Sequence, residues 1–134
     1  MKVLLVSANT EKLPDPVYPI GAAYVADAAR RAGHEVAAVD LCFAADVEAA
    51  LAPVIAAEQP DAIGVSLRNL DSSAFPLNTS YIDDYTRLIA ALRARSDAPI
   101  ILGGAGFTVM PTTVLALLHA DVGVVGEGER LFPW

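Results

Sequence analysis

The chain has 134 residues, a length typical of one domain with a substantial core, and 54% of them are hydrophobic. A formal net charge of −7, with no basic cluster denser than the Arg30–Arg31 pair, argues against a nucleic-acid partner, because phosphate binding relies on concentrated positive charge. No apolar run approaches the roughly 18 residues of a membrane span, and the N-terminus turns polar too early for a signal peptide, so we expect a cytoplasmic protein without a membrane partner.

Strands and helices alternate from the N-terminus onward. The apolar run 3–7 predicts the first strand, and the polar stretch 8–10 follows it. A long loop, 11–18, leads to a helix predicted over 20–32, with Gly33 as its left-handed cap. The alanine-rich helix has an expected inward stripe of Ile20, Tyr24 and Ala28.

The same alternation continues through the middle of the chain. The second strand is predicted over 35–41, and Asp46 is the expected N-cap of a helix over 47–57. Cys42 is the single cysteine, which excludes an internal disulfide and a cysteine-built metal site. Pro60 and Asp61 end this helix, and 62–67 form the third strand.

The C-terminal half adds two more strands. Ser80 and Asp83 have capping-box spacing for a helix over 81–95, with an inward stripe of Ile82, Tyr85, Ile89 and Leu92. A fourth strand, 99–102, runs into a glycine-rich segment. A helix over 111–119 leads to a fifth strand over 122–125.

Alternating strands and helices predict a parallel sheet with right-handed crossovers. The high apolar content agrees with strands that are buried on both faces. Only a few residues follow the fifth strand, so we expect the domain to occupy 1–129 and 130–134 to begin a connection to a further domain.

Polar or glycine-rich residues follow four of the predicted strands. In open parallel sheets, ligands bind outside the carboxyl ends of the strands, where these residues meet. Three glycines within four residues remove side chains that would keep a ligand from the backbone, although they also suit a tight turn. The segments concerned are 7–10, 66–69, 103–108 and 126–129.

Two common phosphate-binding patterns are absent from the sequence. The first strand lacks the G-x-G-x-x-G dinucleotide fingerprint, and no G-K-[ST] of a Walker loop occurs. Ser7 and Thr10 loosely resemble the hydroxyl-rich loop of FMN-binding flavodoxins, so a flavin remains an alternative ligand.

The ordered set of short motifs resembles the N-terminal cobalamin-binding domain of cobalamin-dependent radical S-adenosylmethionine enzymes. Each motif alone is weak, but together they span nearly the whole chain in the right order. They are Pro19-Ile20-Gly21, Arg31-Ala32-Gly33-His34-Glu35-Val36, Asp61 with Ile63-Gly64-Val65-Ser66, Leu102-Gly103-Gly104 with Gly106-Phe107-Thr108, and Asp121 with Val124-Val125-Gly126-Glu127-Gly128-Glu129.

The resemblance implies a flavodoxin-like (Rossmann-type) three-layer sandwich with a five-stranded parallel sheet. It also implies a corrin that lies across the strand ends, with its nucleotide tail inserted beside the sheet. By this analogy Ser66 and Leu67 meet the tail, Gly103 and Gly104 let it pass, and Gly126–Gly128 border it. The full set of expected cobalamin-binding residues is Asn9, Thr10, Gly21, Ser66, Leu67, Arg68, Asn69, Gly103, Gly104, Gly106, Phe107, Thr108, Gly126, Glu127 and Gly128.

One departure from the wider cobalamin-binding pattern concerns the metal. The D-x-H-x-x-G motif, whose histidine ligates cobalt in many such domains, is absent after the first strand. His34 and His119 are expected to be solvated or capping residues, so we predict no histidine ligand to cobalt. Arg68, Asn69 and Asn9 are the best-placed polar groups to face the metal, and the loop 69–79 could close over the corrin.

The leading hypothesis is a cobalamin-binding module of a methylcobalamin-dependent radical S-adenosylmethionine methyltransferase. S-adenosylmethionine and a 4Fe-4S cluster would bind a C-terminal catalytic domain outside this chain, because no C-x-x-x-C-x-x-C motif occurs here. The alternatives are the same module in a radical cyclase of the magnesium-protoporphyrin ester cyclase type, a cofactor-free interaction domain, and an FMN-binding flavodoxin-like domain.

Overall fold

The computed structural model describes residues 1–72 and 78–131 and contains a five-stranded, all-parallel sheet. The strands are β1 (Lys2–Ser7), β2 (Glu35–Asp40), β3 (Ala62–Ser66), β4 (Asp71–Ser72), β5 (Thr79–Ser80), β6 (Ile100–Gly103) and β7 (Val122–Gly123). The order in the sheet is β2-β1-β3-β6-β7, which is the flavodoxin-like order. A separate antiparallel pair, β4 with β5, was not predicted.

Helices connect the strands and form the two outer layers of the sandwich. The predicted flavodoxin-like three-layer fold is therefore confirmed. The helices are α1 (Ile20–Arg31), α2 (Val47–Glu58), α3 (Ile82–Arg93), α4 (Ala105–Val109), α5 (Pro111–Leu118) and α6 (Gly128–Leu131). Within the described ranges, none of them is long and apolar enough to cross a membrane.

The two faces of the sheet are covered unequally. On one face, β-strand residues such as Leu4, Ile63 and Ile100 join a large core with side chains of α2, α3, α4 and α5. On the other face, Val3 and Leu5 of β1 form a small cluster with Ala26 of α1. The second face, called the α1 face below, therefore has much less of its apolar surface buried.

Several local predictions are confirmed at the ends of helices. Asp46 caps α2, because its carboxylate accepts a hydrogen bond of 3.0 Å from the Ala49 amide. Gly33 follows α1 with a φ of +92°, a conformation that favours glycine. The capping box before α3 is wrong: no side chain caps this helix at Tyr81, and the Ser80 hydroxyl accepts instead from the Ile82 amide.

The predicted inward stripe of α1 is also wrong. Ile20 and Tyr24 are 60% and 62% exposed, whereas Ala26 and Ala29 are buried. Small side chains let the helix approach the sheet closely, so alanines occupy the interface and the large side chains face outward. The stripe of α3 is nearly right, since Tyr85, Ile89 and Leu92 are buried and Ile82 is half-buried.

Two segments near the C-terminus differ from prediction. The glycine-rich stretch after β6 includes a short helix, α4, which was not predicted. β7 covers Val122–Gly123 rather than 122–125. The predicted covering loop 69–79 lies partly outside the described residues, at 73–77, and the predicted connection 130–134 lies partly outside them, at 132–134.

Candidate functional site

A cavity of about 430 Å³, called the slot below, opens on the α1 face of the sheet. Its floor includes Leu5 of β1, Gly64 of β3 and Ile101 of β6, which are neighbours across three parallel strands. The next row of the same face is Ser66 beside Gly103, at the carboxyl ends of β3 and β6. The slot therefore runs along the sheet to the rim at which parallel α/β domains bind ligands.

Small residues on the helices keep the slot open. The lining residues on the helices are Gly21, Ala22 and Val25 of α1 and Gly128 and Glu129 of α6. A Cβ atom on Gly128 would lie 3.0 Å from a methyl carbon of Val25, so glycine permits the close approach of α6 to α1. A Cβ atom on Gly21 would meet nothing within 4 Å, which leaves that position open toward the cavity.

The two glycines after β6 serve different purposes. A Cβ atom on Gly103 would contact only Val124, at ordinary distances of 3.7 and 3.8 Å, so its lack of a side chain leaves free volume in the slot. Gly104 has a φ of +94°, and a Cβ atom there would lie 2.6 Å from the Leu67 carbonyl oxygen. Gly104 lines the slot, but the packing of the backbone itself requires glycine at this position.

Seven of the predicted cobalamin-binding residues line the slot together, although they come from four separate segments of the chain. Among the described residues, no protein group hydrogen-bonds the Ser66 hydroxyl, which is half-buried here. The Thr108 hydroxyl, in contrast, has two protein partners. The seven are Gly21, Ser66, Gly103, Gly104, Thr108, Gly126 and Gly128.

Three of the predicted residues, Leu67, Gly106 and Phe107, do not line the slot, and their expected contact with cobalamin stays a prediction. The side chains of Leu67 and of Phe107, which belongs to α4, are fully buried and contribute to the large core. A Cβ atom on Gly106 would lie 3.0 Å from the Asn69 amide nitrogen, so this glycine allows α4 to pack against the loop after β3. Phe107 in turn covers Gly123, whose Cβ would lie 2.3 Å from its ring.

The remaining predicted residues lie at the rim, outside the slot. Thr10 and Arg68 are exposed, and Asn69 is half-buried. Asn9 is buried, and its side-chain amide donates a hydrogen bond of 3.3 Å to the Glu11 carbonyl. Glu127 is exposed and forms a 3.0 Å ion pair with Arg130.

Two tyrosines support the rim next to these residues. The Tyr85 hydroxyl donates a 2.6 Å hydrogen bond to the Asn69 carbonyl, and burial raises the pKa of Tyr85 to about 12. The Tyr81 hydroxyl donates to the Glu11 carboxylate at 2.9 Å. Hydrogen bonds from the amide of Leu13, from Tyr81 and from the amide of Lys12 lower the pKa of Glu11, so this carboxylate is ionised at neutral pH.

Neither histidine is near the slot. His34 precedes β2 and His119 precedes β7, so both lie at the amino ends of strands, opposite the rim. His119 ends α5 with a φ of +51°. Within residues 1–72 and 78–131, no group of three histidine, cysteine or acidic side chains could hold a metal ion.

Sequence reasoning missed the apolar part of the site. Gly64 stands in the middle of a buried strand, a position where glycine often marks the close approach of a ligand, and this signal was available. The other missed residues, apart from the exposed Glu129, read as ordinary core positions until the uneven cover of the sheet is known. The missed lining residues are Leu5, Val6, Ala22, Val25, Gly64, Val65, Ile101, Leu102, Ala105, Val124 and Glu129.

The chemistry of the slot follows from its lining. An apolar floor of strand side chains favours a flat, uncharged ring system, and roughly 300–1,000 Å³ is usual for small-molecule sites. The single unpaired hydroxyl of Ser66 can orient such a ring by one hydrogen bond. The rim adds amide, hydroxyl and guanidinium groups that suit a polar molecule lying across the strand ends.

Comparison with known proteins gives related matches over nearly the whole chain. The sequence profile of the B12 binding domain family matches residues 6–133. A curated relative, the tryptophan 2-C-methyltransferase of Streptomyces laurentii, is 29% identical over 124 residues, which are 92% of this chain and 21% of that enzyme. The chain thus spans about a fifth of the length of the curated relative that it matches.

Solved structures give a similar picture. The radical S-adenosylmethionine methyltransferase TsrM of Kitasatospora setae, with cobalamin and a 4Fe-4S cluster bound, has a TM-score of 0.90 and 31% identity over 98% of this chain and 23% of that one. The cobalamin-dependent S-adenosylmethionine radical enzyme OxsB, solved in its apo form, has a TM-score of 0.71 and 15% identity over 98% of this chain and 17% of that one. The likeness to OxsB shows a shared fold alone.

Proposed function

Because the chain belongs to the B12 binding domain family, we propose that it binds cobalamin as the corrinoid module of a radical S-adenosylmethionine methyltransferase. The observation that carries this proposal is the slot on the α1 face, which ends at a polar rim. The matched relatives whose names state a reaction are methyltransferases, which favours methyl transfer over cyclisation.

The residues of the slot fit the nucleotide tail of cobalamin. The tail ends in an apolar bicyclic base, which the floor formed by Leu5, Gly64 and Ile101 would accommodate. Gly103 leaves the volume that the tail needs, and the free Ser66 hydroxyl would donate to it. The acidic net charge is no obstacle, since the slot supplies shape and apolar contact rather than positive charge.

The rim residues would then hold the corrin ring. Arg68, Asn69 and Thr10 are accessible at the carboxyl ends of β1 and β3 and would face the ring amides or the metal. Asn9 is directed to the Glu11 carbonyl, so we assign it a role in shaping the rim. Both histidines lie at the other end of the sheet, so we propose that no histidine ligates the cobalt.

Bound cobalamin would supply a cobalt centre able to carry a methyl group, and we propose methylcobalamin as its working form. The contribution of this chain would be to fix the orientation of the corrinoid and to exclude water from its tail. We further propose that residues 1–129 form this module and that 130–134 lead to a catalytic domain that binds S-adenosylmethionine and a 4Fe-4S cluster. The larger size of the matched relatives supports this arrangement.

Reconstitution with hydroxocobalamin tests the proposal. After removal of free cofactor, the purified chain should retain the absorbance of a corrinoid. A parallel sample is incubated with FMN. If the chain retains the flavin but not the corrinoid, it is a flavodoxin-like carrier instead, and if it retains neither, a cofactor-free interaction domain is left.

A series at Gly103 tests the slot itself. Gly103→Leu would place a branched side chain in the slot and should reduce cobalamin affinity at least about tenfold, because the tail and the side chain would compete for the same volume. Gly103→Ala is the matched control, since its methyl group has ordinary contacts with Val124. Equal cobalamin affinity of the two variants, with unchanged circular dichroism, would contradict a tail in this slot.

A further inference from the structure

One hydroxyl group joins two sides of the slot. The Thr108 Oγ1 atom donates a hydrogen bond of 3.0 Å to the Gly104 carbonyl oxygen, at the turn after β6. The same oxygen accepts a hydrogen bond of 3.1 Å from the Gly126 amide, in the segment between β7 and α6. Thr108 therefore connects two segments that are far apart in sequence and that both line the slot.

The segment 124–128 has few other attachments near Gly126. The Val124 amide donates to the Leu102 carbonyl at 2.8 Å, which continues the sheet up to that residue. Beyond it, Val125 is half exposed, and a Cβ atom on Gly126 would meet nothing within 4 Å. Packing around Gly126 is thus sparse, and the Thr108 hydroxyl is well placed to fix the position of this segment.

Backbone conformation gives the bridge a second role. Gly104 and Gly126 have φ values of +94° and +83°, a region that glycine visits without strain but does not prefer strongly. Each glycine therefore depends on its surroundings to choose this conformation. The Gly104 carbonyl oxygen accepts a hydrogen bond from the Thr108 hydroxyl, and the Gly126 amide donates one to the same hydroxyl.

The geometry points to Thr108 as a positioning residue that sets the width of the slot and so governs the affinity for the nucleotide tail. The inference rests on the proposed function and extends it to a residue whose hydroxyl is already satisfied by protein groups. Thr108 would act through the Gly126 segment rather than by hydrogen-bonding the ligand.

Two corrinoids separate this role from a general effect on the fold. Cobalamin carries the nucleotide tail, and dicyanocobinamide has the same corrin ring without it. Thr108→Val removes the hydroxyl but keeps the shape of the side chain. We expect the affinity for hydroxocobalamin to fall about tenfold and that for dicyanocobinamide to change less than about twofold.

Matched variants complete the experiment. Thr108→Ser retains the hydroxyl and should restore affinity for cobalamin. Thr86→Val removes a hydroxyl that donates to the carbonyl four residues earlier on α3, at 2.8 Å, and should change neither affinity. Hydrogen exchange of the cofactor-free protein adds an independent readout, since the Gly126 amide should exchange faster in Thr108→Val than in the other proteins.

The outcomes distinguish this inference from the proposed function. Two results with a folded Thr108→Val protein would overturn the positioning role but leave the proposed function intact. One is an equal loss of affinity for both corrinoids, and the other is an unchanged affinity for cobalamin. Failure of the unsubstituted chain to bind cobalamin would overturn the proposed function and this inference with it. Unchanged exchange at Gly126 would also contradict the bridge.

Discussion

Glycines near the rim illustrate how one residue type meets different physical needs. Gly104 avoids a clash with the Leu67 backbone, and Gly106 lets α4 approach the loop after β3. Gly103 has room for a Cβ atom and so leaves space for a ligand. Replacement of Gly104 is therefore a poor test of ligand binding, because the variant would disturb the fold as well.

At this scale we predict opposite stability effects for two alanine substitutions. Gly104→Ala should lower the free energy of unfolding by about 2 kcal/mol or more, because Gly104 has a φ of +94° and the new Cβ atom would lie 2.6 Å from the Leu67 carbonyl oxygen. Gly21→Ala should raise it by about 0.5 kcal/mol, because the position is helical and unobstructed. Urea denaturation measures the free energy of unfolding of both variants. Similar changes in the two would show that a Cβ atom at position 104 is tolerated, and would contradict the prediction.

At the scale of the elements, one carboxylate joins α3, β6 and the start of β7. Asp121 accepts hydrogen bonds from the Ile100 amide at 2.7 Å and from Arg93 at 2.6 Å. Both hydrogen bonds lower the pKa of Asp121 below its ordinary value of 3.8, and the one from the Ile100 amide is the larger cause. The ionised form is thus favoured in the folded state.

The sign of the resulting pH dependence follows from linkage. A carboxylate with a lowered folded-state pKa stabilises the fold above its unfolded pKa and loses that contribution as the pH falls through the folded pKa. The group is partly exposed, so we expect Asp121→Asn to cost up to about 1 kcal/mol at pH 7. In urea titrations, the difference in free energy of unfolding between Asp121→Asn and the unsubstituted protein should shrink below about pH 4. If this difference grew as the pH fell, the stabilising role of ionised Asp121 would be refuted.

For the whole molecule, the uneven cover of the sheet is the decisive feature. The large core on one face secures the fold, while the α1 face retains an apolar slot that a ligand could fill. Binding to the folded state alone raises its stability by mass action. The slot thus couples cofactor binding to the stability of the sheet.

We therefore predict that cobalamin stabilises the domain against unfolding. At a concentration of 100 times its dissociation constant, the expected gain is about 2.7 kcal/mol, seen as a higher urea midpoint. Gly103→Leu should show a much smaller gain at the same cobalamin concentration, because its side chain fills the slot. A full gain in that variant would locate the bound cofactor elsewhere.

Sequence patterns alone were enough to predict the five strands of the parallel sheet and the four longest helices in their order, the caps at Asp46 and Gly33, and the clustering of glycine and polar residues at one rim. These features depend on local conformation and on the periodicity of apolar residues, which neighbouring residues largely decide. The resemblance in its motifs likewise led to the family that the profile confirms.

Tertiary structure alone decided which residues face the slot. Periodicity placed Ile20 and Tyr24 inward, but α1 packs on the sheet through the small side chains of Ala26 and Ala29. Two adjacent predicted site residues also have different surroundings, since Ser66 lines the slot while Leu67 belongs to the core. Strand side chains alternate between faces, so their roles follow from how each face is covered, and only long-range packing settles that.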